Sequence, residues 1–172
     1  MATQADVTRE LFITGLKNAH GVEHQALALM DRQLDHLANY PEVSEMLRKH
    51  RKETEEQISR IDEILQGFDA KASALKDIAL SLSGNMAAMA HLPAPDEILK
   101  NSLANHAFEH FEMAAYTSLL TIAEVGGFGS ATPLLQQSLD EETRMADWVL
   151  SSLPDLTRKY IQRREAGATA SH

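Results

Sequence analysis

Apolar side chains recur every three or four residues along most of the chain, the spacing that gives a helix one buried face. In the first such segment these positions include Leu11, Leu16, Leu27 and Leu34. The pattern predicts four long helices, at about residues 7–39, 41–66, 96–125 and 133–153, and a short fifth helix at 155–164. Residues 167–172 are expected to fray.

Proline and glycine mark the ends of the predicted helices. Pro41 suits the first position of the second helix, where its missing N–H is not needed. Gly67 is expected to cap the C-terminus of that helix, and Gly126-Gly127 is expected to stop the third. The fourth helix is expected to end before Pro154, because a proline within a helix interrupts its hydrogen-bond ladder.

The connection between the second and third helices is much longer than the other two. It covers residues 68–95 and is expected to contain a short helix over 71–90. Short turns make the first and second helices antiparallel, and likewise the third and fourth, but an up-and-down bundle needs no long connection between the pairs. The sequence therefore predicts an all-α, ferritin-like four-helix bundle with one long crossover between helices 2 and 3. We expect a single domain over residues 1–172, with its core at about 7–153.

Composition supports a helical domain and excludes several functions. Hydrophobic residues make up 44% of the 172 residues and aromatic residues only 5%, which favours helices over sheet. The formal net charge of -9 argues against binding to nucleic acid or to an anionic membrane surface. The lack of cysteine excludes disulfides, thiolate zinc sites and a cysteine nucleophile. With no signal-peptide pattern and no apolar run of membrane-spanning length, we expect a cytoplasmic location.

Each long helix carries a glutamate where its apolar stripe should continue. These residues are Glu23 in helix 1, Glu53 in helix 2, Glu109 and Glu112 in helix 3, and Glu142 in helix 4. Glu109 and Glu112 are three residues apart and therefore share one helix face. Because a buried carboxylate is costly unless a positive group pairs with it, the five residues raise the question of what neutralises them.

The spacing of the glutamates predicts that they lie at about one level of the bundle. Glu23 and Glu109 lie 17 and 18 residues before the turns that follow them, while Glu53 and Glu142 lie 12 and 13 residues after the same turns. In both hairpins, therefore, the glutamates lie at nearly the same distances from the turn. A site for two metal ions fits this arrangement, since inward carboxylates from four helices can bind and bridge two cations. The alternative is that the helices rotate and the glutamates face solvent.

Several neighbouring residues are candidates for supporting roles. His50 is interpreted as a core residue or a partner of a ligand, with ligation left open. Gln57 is a candidate donor to a ligand carboxylate, with plain packing as the alternative. Tyr116 is expected to pack, with donation to a carboxylate or contact with an oxidant as alternatives. Glu56 is expected to face solvent, and Glu141 to lie at the surface or beside a ligand.

Four short motifs resemble those of a known family. They are Glu23-x-Gln25, His50-x-x-Glu53-Thr54-x-x-Gln57-x-x-Arg60, Glu109-His110-Phe111-Glu112-x-Ala114-x-Tyr116 and Leu139-x-Glu141-Glu142-x-x-x-Asp147. Over about residues 10–153 the chain resembles the YciE/YciF family of bacterial stress-associated ferritin-like proteins. The resemblance implies a ferritin-like bundle, often a homodimer, with a di-iron-type centre.

The residues and the resemblance together predict a stress-associated di-iron carboxylate protein. About two iron ions per chain, with manganese as the other candidate, would be bound by the five glutamates and would react with O2 or peroxide. Sites of this class usually use Glu-x-x-His pairs, but here Glu56 follows Glu53 at that spacing and Met145 follows Glu142. The alternative is a non-catalytic stress or interaction protein with a structural metal or none. No catalytic residue is assigned, and enzyme activity stays open.

Overall fold

Four helices occupy most of the computed structural model, which describes residues 2–70 and 96–169. In this part of the chain α1 spans Gln4–Leu34, α2 Pro41–Gly67, α3 Glu97–Gly126 and α4 Thr132–Glu165. The described segments contain no strand, and the predicted all-α four-helix bundle is confirmed. The short helix expected over 71–90 and the tail residues 170–172 lie outside the described residues. None of the described helices has an apolar stretch long enough to cross a membrane.

The N-terminus of α1 is fixed by a capping box that the apolar pattern did not reveal. Thr3 Oγ1 accepts a hydrogen bond from the backbone N–H of Asp6 at 3.2 Å, and the backbone N–H of Thr3 donates to Asp6 Oδ2 at 2.9 Å. This reciprocal pair satisfies two backbone donors that a helix start would otherwise leave unpaired. The helix therefore begins at Gln4, earlier than the predicted residue 7.

The first helix also ends earlier than predicted, at Leu34 rather than near Asn39. Tyr40 has φ -132° and ψ 64°, which is not helical, because the residue before a proline is disfavoured in the α region. Leu37 and Tyr40 are nevertheless buried in the core, which explains why the apolar spacing continues past the end of the helix. Pro41 is the first residue of α2, as predicted.

The prediction that the fourth helix ends before Pro154 is wrong. α4 continues through this residue, and residues 155–164 are part of α4 rather than a separate helix. A proline inside a helix costs about 3 kcal/mol through the lost hydrogen bond and a steric clash. Packing beyond Pro154 offsets this cost, because Leu156 is buried in the core and Lys159 Nζ lies 2.8 Å from Glu42 Oε1 on α2.

The two glycines expected to end helices differ in conformation. Gly127 has φ 73° and caps the C-terminus of α3, as predicted. Gly67 is the last residue of α2, and its expected role as the C-terminal cap is wrong because Phe68 occupies the cap position. The left-handed residue after α2 is Asp69, with φ 54°, a conformation that aspartate tolerates better than most residues.

The packing of the helices makes α2 and α3 parallel. α1 and α2 form one hairpin through the turn at 35–40, and α3 and α4 form the other through 127–131. α1 also runs antiparallel to α3, since Gln33 near the end of α1 exchanges two hydrogen bonds with Asn105 near the start of α3. The end of α2 at Gly67 and the start of α3 at Glu97 therefore lie at opposite ends of the bundle, which agrees with the predicted crossover.

Two apolar clusters fill the bundle, one toward each end. The Tyr40 cluster lies toward the turn at 35–40, and its buried members are Val22, Ala26, Met30, Leu37, Tyr40, Val43, Leu47, Ile98, Phe108, Met145, Val149 and Leu156. The Phe12 cluster lies toward the turn at 127–131, and its buried members are Phe12, Leu16, Ala19, Ile61, Ile64, Leu65, Tyr116, Leu119, Ala123, Ala131 and Leu135. Every one of the four helices contributes to both clusters. The polar residues that separate the clusters form the candidate site.

The glycines at the ends of α2 and α3 provide a matched test of packing. Gly126→Ala should lower the free energy of unfolding by about 1–3 kcal/mol. The reason is that an added Cβ would clash with the ring of Phe128, whose centroid lies 4.9 Å from that of the Phe12 ring. Gly67→Ala, where an added Cβ meets nothing within 4 Å, should leave the free energy unchanged or raise it by up to about 1 kcal/mol. Urea unfolding measures both variants, and equal losses would contradict this packing.

Candidate metal centre

The buried stripe of α2 carries polar side chains in its middle. Its buried positions there are Leu47, His50, Thr54, Gln57 and Ile61. These positions are separated by steps of three and four residues and form one helix face. Glu53 precedes Thr54, about 100° around the helix, and therefore lies at the edge of the stripe. The apolar pattern alone had suggested that Glu53 continues the stripe, because His50, Thr54 and Gln57 are not apolar.

A layer of buried polar side chains crosses the bundle between the Tyr40 and Phe12 clusters. The members of this polar layer are Glu23 on α1; His50, Thr54, Gln57 and Arg60 on α2; Glu109 and Glu112 on α3; and Ser138, Glu141 and Glu142 on α4. All four helices contribute, but the contribution of α2 does not include the predicted Glu53. Glu142 is fully enclosed, with 0% of its surface exposed. Shielding from solvent of this kind penalises every charge that lacks a partner.

His50 lies among the carboxylates of the polar layer. Its Nε2 atom is 3.2 Å from Glu109 Oε2 and 3.6 Å from Glu142 Oε2, and its Nδ1 atom is 3.5 Å from Glu53 Oε2. One ligand atom from each of His50, Glu109 and Glu142 lies within 4.8 Å of the other two, so the three residues could hold one metal ion. Among the described residues, no other group of three metal-binding side chains is as close.

Two carboxylates of the layer have one oxygen held by a protein donor. The phenolic O–H of Tyr116 donates to Glu23 Oε1, and the side-chain amide of Gln57 donates to Glu142 Oε1. The expected donation by Gln57 is thus confirmed, whereas the expectation that Tyr116 simply packs is wrong. Each hydrogen bond orients its carboxylate and leaves the second oxygen, Oε2, available.

Four carboxylates of the polar layer each present one buried oxygen that accepts no hydrogen bond. The atoms are Glu23 Oε2, Glu109 Oε2, Glu112 Oε1 and Glu142 Oε2. Glu109 and Glu142 have His50 as an ionic neighbour, but its ring is not aligned to donate to either of these atoms. Buried polar atoms in folded proteins nearly always have a partner. One unpartnered oxygen on each of four carboxylates is a donor set that a bound cation would complete.

Burial and mutual repulsion raise the pKa values of Glu23, Glu112 and Glu142 and so favour their protonation. Burial raises the pKa of Glu23 to about 8, although the hydrogen bond from Tyr116 lowers it. Burial, followed by the charges of Glu142, Glu23 and Glu109, raises the pKa of Glu112 well above its usual range. Burial and contact with Glu109 likewise raise the pKa of Glu142. Protons and metal ions therefore compete for the same oxygens.

The pKa of His50 also depends on burial and on the neighbouring carboxylates. Burial alone would lower the pKa of His50, but the charge and contact of Glu109, with those of Glu53 and Glu142, raise this pKa well above the usual value. These carboxylates therefore favour the protonated form of the His50 ring. To bind a metal ion the ring must give up one proton, so that a nitrogen lone pair becomes available.

Glu141 forms a buried ion pair with Arg60 beside the unpartnered oxygens. Both terminal nitrogens of Arg60 donate to Glu141, and Nη1 lies 3.1 Å from Oε1. Gln57 Nε2 is 3.1 Å from Glu141 Oε2 and also contacts Glu142, while Gln137 Nε2 donates to Glu141 Oε1 at 3.1 Å. The expectation that Glu141 lies at the surface is wrong, because its side chain is buried. The alternative expectation holds, since Glu141 shares the donor Gln57 with the candidate ligand Glu142. The role of Arg60 was missed, although its position three residues after Gln57 on α2 was an available signal.

The five predicted ligands do not share one environment. Those buried in the polar layer are Glu23, Glu109, Glu112 and Glu142. The side chain of Glu53 is 19% exposed, and its Oε1 atom lies 3.6 Å from Lys49 and 3.5 Å from Arg144. Glu53 reaches the layer through the contact of its Oε2 atom with His50. Glu56 faces solvent, as predicted.

Comparison with known proteins finds relatives over most of the chain. The family described as Domain of unknown function (DUF892) matches residues 7–162. Protein YciF of Escherichia coli (strain K12) is 28% identical over 137 residues, which are 77% of this chain and 82% of that protein. A solved structure from Xanthomonas campestris pv. campestris has a TM-score of 0.77 and 22% identity, covering 92% of this chain and 99% of that one. The structure of the E. coli stress protein YciF has a TM-score of 0.76 and 23% identity, covering 90% and 97%.

The buried pair of Arg60 and Glu141 should be costly to break. Arg60→Met leaves Glu141 enclosed without its cation and should lower the free energy of unfolding by about 3–5 kcal/mol. Arg51→Met is the matched control on the same helix, and it should change stability little because the ion pairs of Arg51 with Asp31 and Glu55 lie at the surface. Urea unfolding of the metal-free variants measures both. Equal stability of the two variants would show that the buried pair is not needed.

Proposed function

The chain belongs to the DUF892 family of YciF-like proteins, and we propose that it is a ferritin-like metal protein that binds about two iron ions in its polar layer and reacts with O2 or peroxide. The observation that carries the proposal is the set of four buried carboxylate oxygens without a hydrogen-bond donor. A part in stress responses is supported by the name of one relative, the E. coli stress protein YciF.

The charge of the polar layer calls for additional cations. Arg60 is already paired with Glu141, so the basic side chain that remains for the other carboxylates among the described residues of the layer is His50. The carboxylates in question are Glu23, Glu109, Glu112 and Glu142. About two divalent ions would bring four positive charges, equal to the charge of these four groups, and would let His50 bind as a neutral imidazole.

The donor atoms suit iron, with manganese as the other candidate. Carboxylate oxygens with one imidazole nitrogen favour ions of this hardness, and the sequence offers no thiolate that would favour a softer one. The residues proposed to hold the metal are Glu23, Glu53, Glu109, Glu112, Glu142 and His50. Bound iron would supply one-electron redox chemistry toward O2 or peroxide.

The surrounding residues hold the ligands ready. Tyr116 occupies one oxygen of Glu23 and Gln57 occupies one oxygen of Glu142, so each carboxylate offers its Oε2 atom in a fixed orientation. Hydrogen bonds of this kind reduce the ordering that metal binding would otherwise require. The Tyr40 and Phe12 clusters close the layer from both ends of the bundle and limit the access of water.

A second candidate is a non-catalytic stress or interaction protein built on the same bundle. The environment of Glu53 favours it, because Lys49 and Arg144 already balance the charge of this carboxylate. The sequence order favours it too, since His50 precedes Glu53 by three residues, whereas the usual pair is Glu-x-x-His. In that case the layer would hold a structural metal or only protons.

From the family resemblance we also propose that the chain forms a homodimer. Leu103 and Phe111 on α3 support a packing surface outside the core, because both side chains are apolar and exposed.

Metal content and reactivity test the proposed function. After anaerobic loading with Fe2+ and removal of the excess, elemental analysis should find about two iron ions per chain. Glu109→Gln keeps the side-chain volume but removes a ligand charge, and it should lose most of this iron. Glu56→Gln is the matched control, because Glu56 is exposed on α2, and it should bind iron normally. No iron in the unsubstituted protein, or equal iron in both variants, would refute the site.

Mixing the loaded protein with O2 or peroxide separates the two candidate functions. Bound iron should oxidise faster than free Fe2+ at the same concentration, as followed by absorbance. In Glu109→Gln the rate should fall to that of free iron. Bound iron that oxidises no faster than free iron would favour the structural metal.

Glu112→Gln should affect the metal-free and metal-bound protein in opposite directions. Burial and the neighbouring carboxylates disfavour the charge of Glu112, so the neutral amide should raise the free energy of unfolding without metal by about 1 kcal/mol. The same change removes a ligand charge and should lower the iron content. Glu124→Gln, at an exposed position of α3, is the control and should change neither quantity. Urea unfolding and elemental analysis measure the two effects. If Glu112→Gln lost both stability and iron, the predicted gain in metal-free stability would be wrong.

A further inference from the structure

Two histidines one turn apart on α3 contact each other outside the polar layer. The ring centroids of His106 and His110 are 4.4 Å apart, with the rings at 88°, and their Nε2 atoms are 3.1 Å apart. His110 is exposed and His106 is half-buried. Neither residue has a part in the metal centre described above.

The separation of the two Nε2 atoms matches what a single metal ion requires. Imidazole nitrogens bind divalent transition ions at about 2.0–2.1 Å. Two such nitrogens lie about 2.9 Å apart when the bonds meet at 90° and about 3.4 Å apart at the tetrahedral angle. The 3.1 Å separation of His106 and His110 falls between these limits. Without a metal, the same contact is a hydrogen bond in which one ring donates and the other accepts.

We propose that His106 and His110 form a second, surface metal site for a divalent ion that prefers imidazole, of which Cu2+ is the tightest-binding example. The i, i+4 spacing lets the helix present both rings on one side without any rearrangement of the backbone. The exposure of His110 leaves the remaining coordination positions open to solvent. Imidazole nitrogens at the surface suit Cu2+, whereas the oxygen-rich donors of the core also suit harder ions such as Fe2+ and Mn2+.

The histidine pair is separate from the polar layer, although His110 follows Glu109 in the sequence. Successive helix residues point about 100° apart, and here the carboxylate of Glu109 is buried while His110 faces solvent. The inference therefore does not rest on the proposed iron site.

A second pair of histidines offers a matched comparison on α1. The rings of His20 and His24 are 4.6 Å apart, also one turn along a helix. However, His20 Nε2 lies 3.5 Å from Asp62 Oδ1, so this nitrogen is directed to an acidic partner on α2. His24 is exposed like His110, and replacing it removes an imidazole of similar accessibility.

Titration of the whole protein with Cu2+ tests the surface site. His106→Gln and His110→Gln should each bind one Cu2+ fewer per chain than the unsubstituted protein, as measured by elemental analysis after removal of free copper. Each should also lose the electron paramagnetic resonance signal of copper bound by two imidazole nitrogens. His24→Gln should keep both the copper ion and this signal.

Two results would overturn the site. One is an unchanged copper count and spectrum in His106→Gln and His110→Gln, and the other is the same loss in His24→Gln, which would mean dispersed binding to surface histidines. Iron loading of His110→Gln keeps the two proposals distinguishable. Its iron content should equal that of the unsubstituted protein, so a failure of the copper site leaves the iron result standing, and the reverse also holds.

Discussion

The burial of carboxylates in the middle of a helical bundle is the constraint on which this structure depends. Each enclosed carboxylate loses its hydration and must gain a hydrogen bond, a proton or a cation in return. The polar layer meets this demand fully for Glu141, which Arg60 neutralises, but only in part for the other carboxylates. Tyr116 donates to Glu23 and Gln57 donates to Glu142, and His50 is the basic side chain beside Glu109 and Glu142. The layer also divides the apolar core into two clusters, so neither cluster extends over the whole bundle. Such an arrangement costs stability, and proteins commonly accept this cost where function requires it.

The adjacent residues Glu141 and Glu142 show how the same chemical group can serve two purposes. Glu141 receives both terminal nitrogens of Arg60, together with two side-chain amides, and its charge is fully compensated by the protein. Glu142 receives one amide hydrogen bond from Gln57 and keeps its other oxygen without a partner. Because Gln57 contacts both residues, the compensated pair also positions the uncompensated carboxylate. A buried acid that lacks its own counter-charge, next to one that has it, is a more specific sign of a binding site than burial alone.

Much of the fold could be predicted from the spacing of apolar residues, but the details of the site could not. Four long helices and a crossover follow from that spacing, whereas the helix end predicted at Pro154 is wrong because packing of Leu156 outweighs a local helix breaker. On α2 the apolar pattern is interrupted by His50 and Gln57, so the spacing alone does not show that Glu53 lies at the edge of the buried stripe. Contacts between helices, such as the one that ties Tyr116 to Glu23, depend on side-chain geometry that periodicity does not encode.

The residues of the polar layer come from four helices and lie at one height in the bundle. This alignment limits how the lengths of the helices can change during evolution. Deleting one residue between Glu142 and the turn before it would rotate this side chain by about 100° and shift it by about 1.5 Å, out of line with the other three helices. Deleting about seven residues, two helical turns, would point the side chain toward the core again but displace it by about 10 Å along the bundle. Insertions and deletions are therefore expected to accumulate in connections and beyond the outer ends of the helices. The distance from each turn to the polar layer should be the most conserved length in homologous chains.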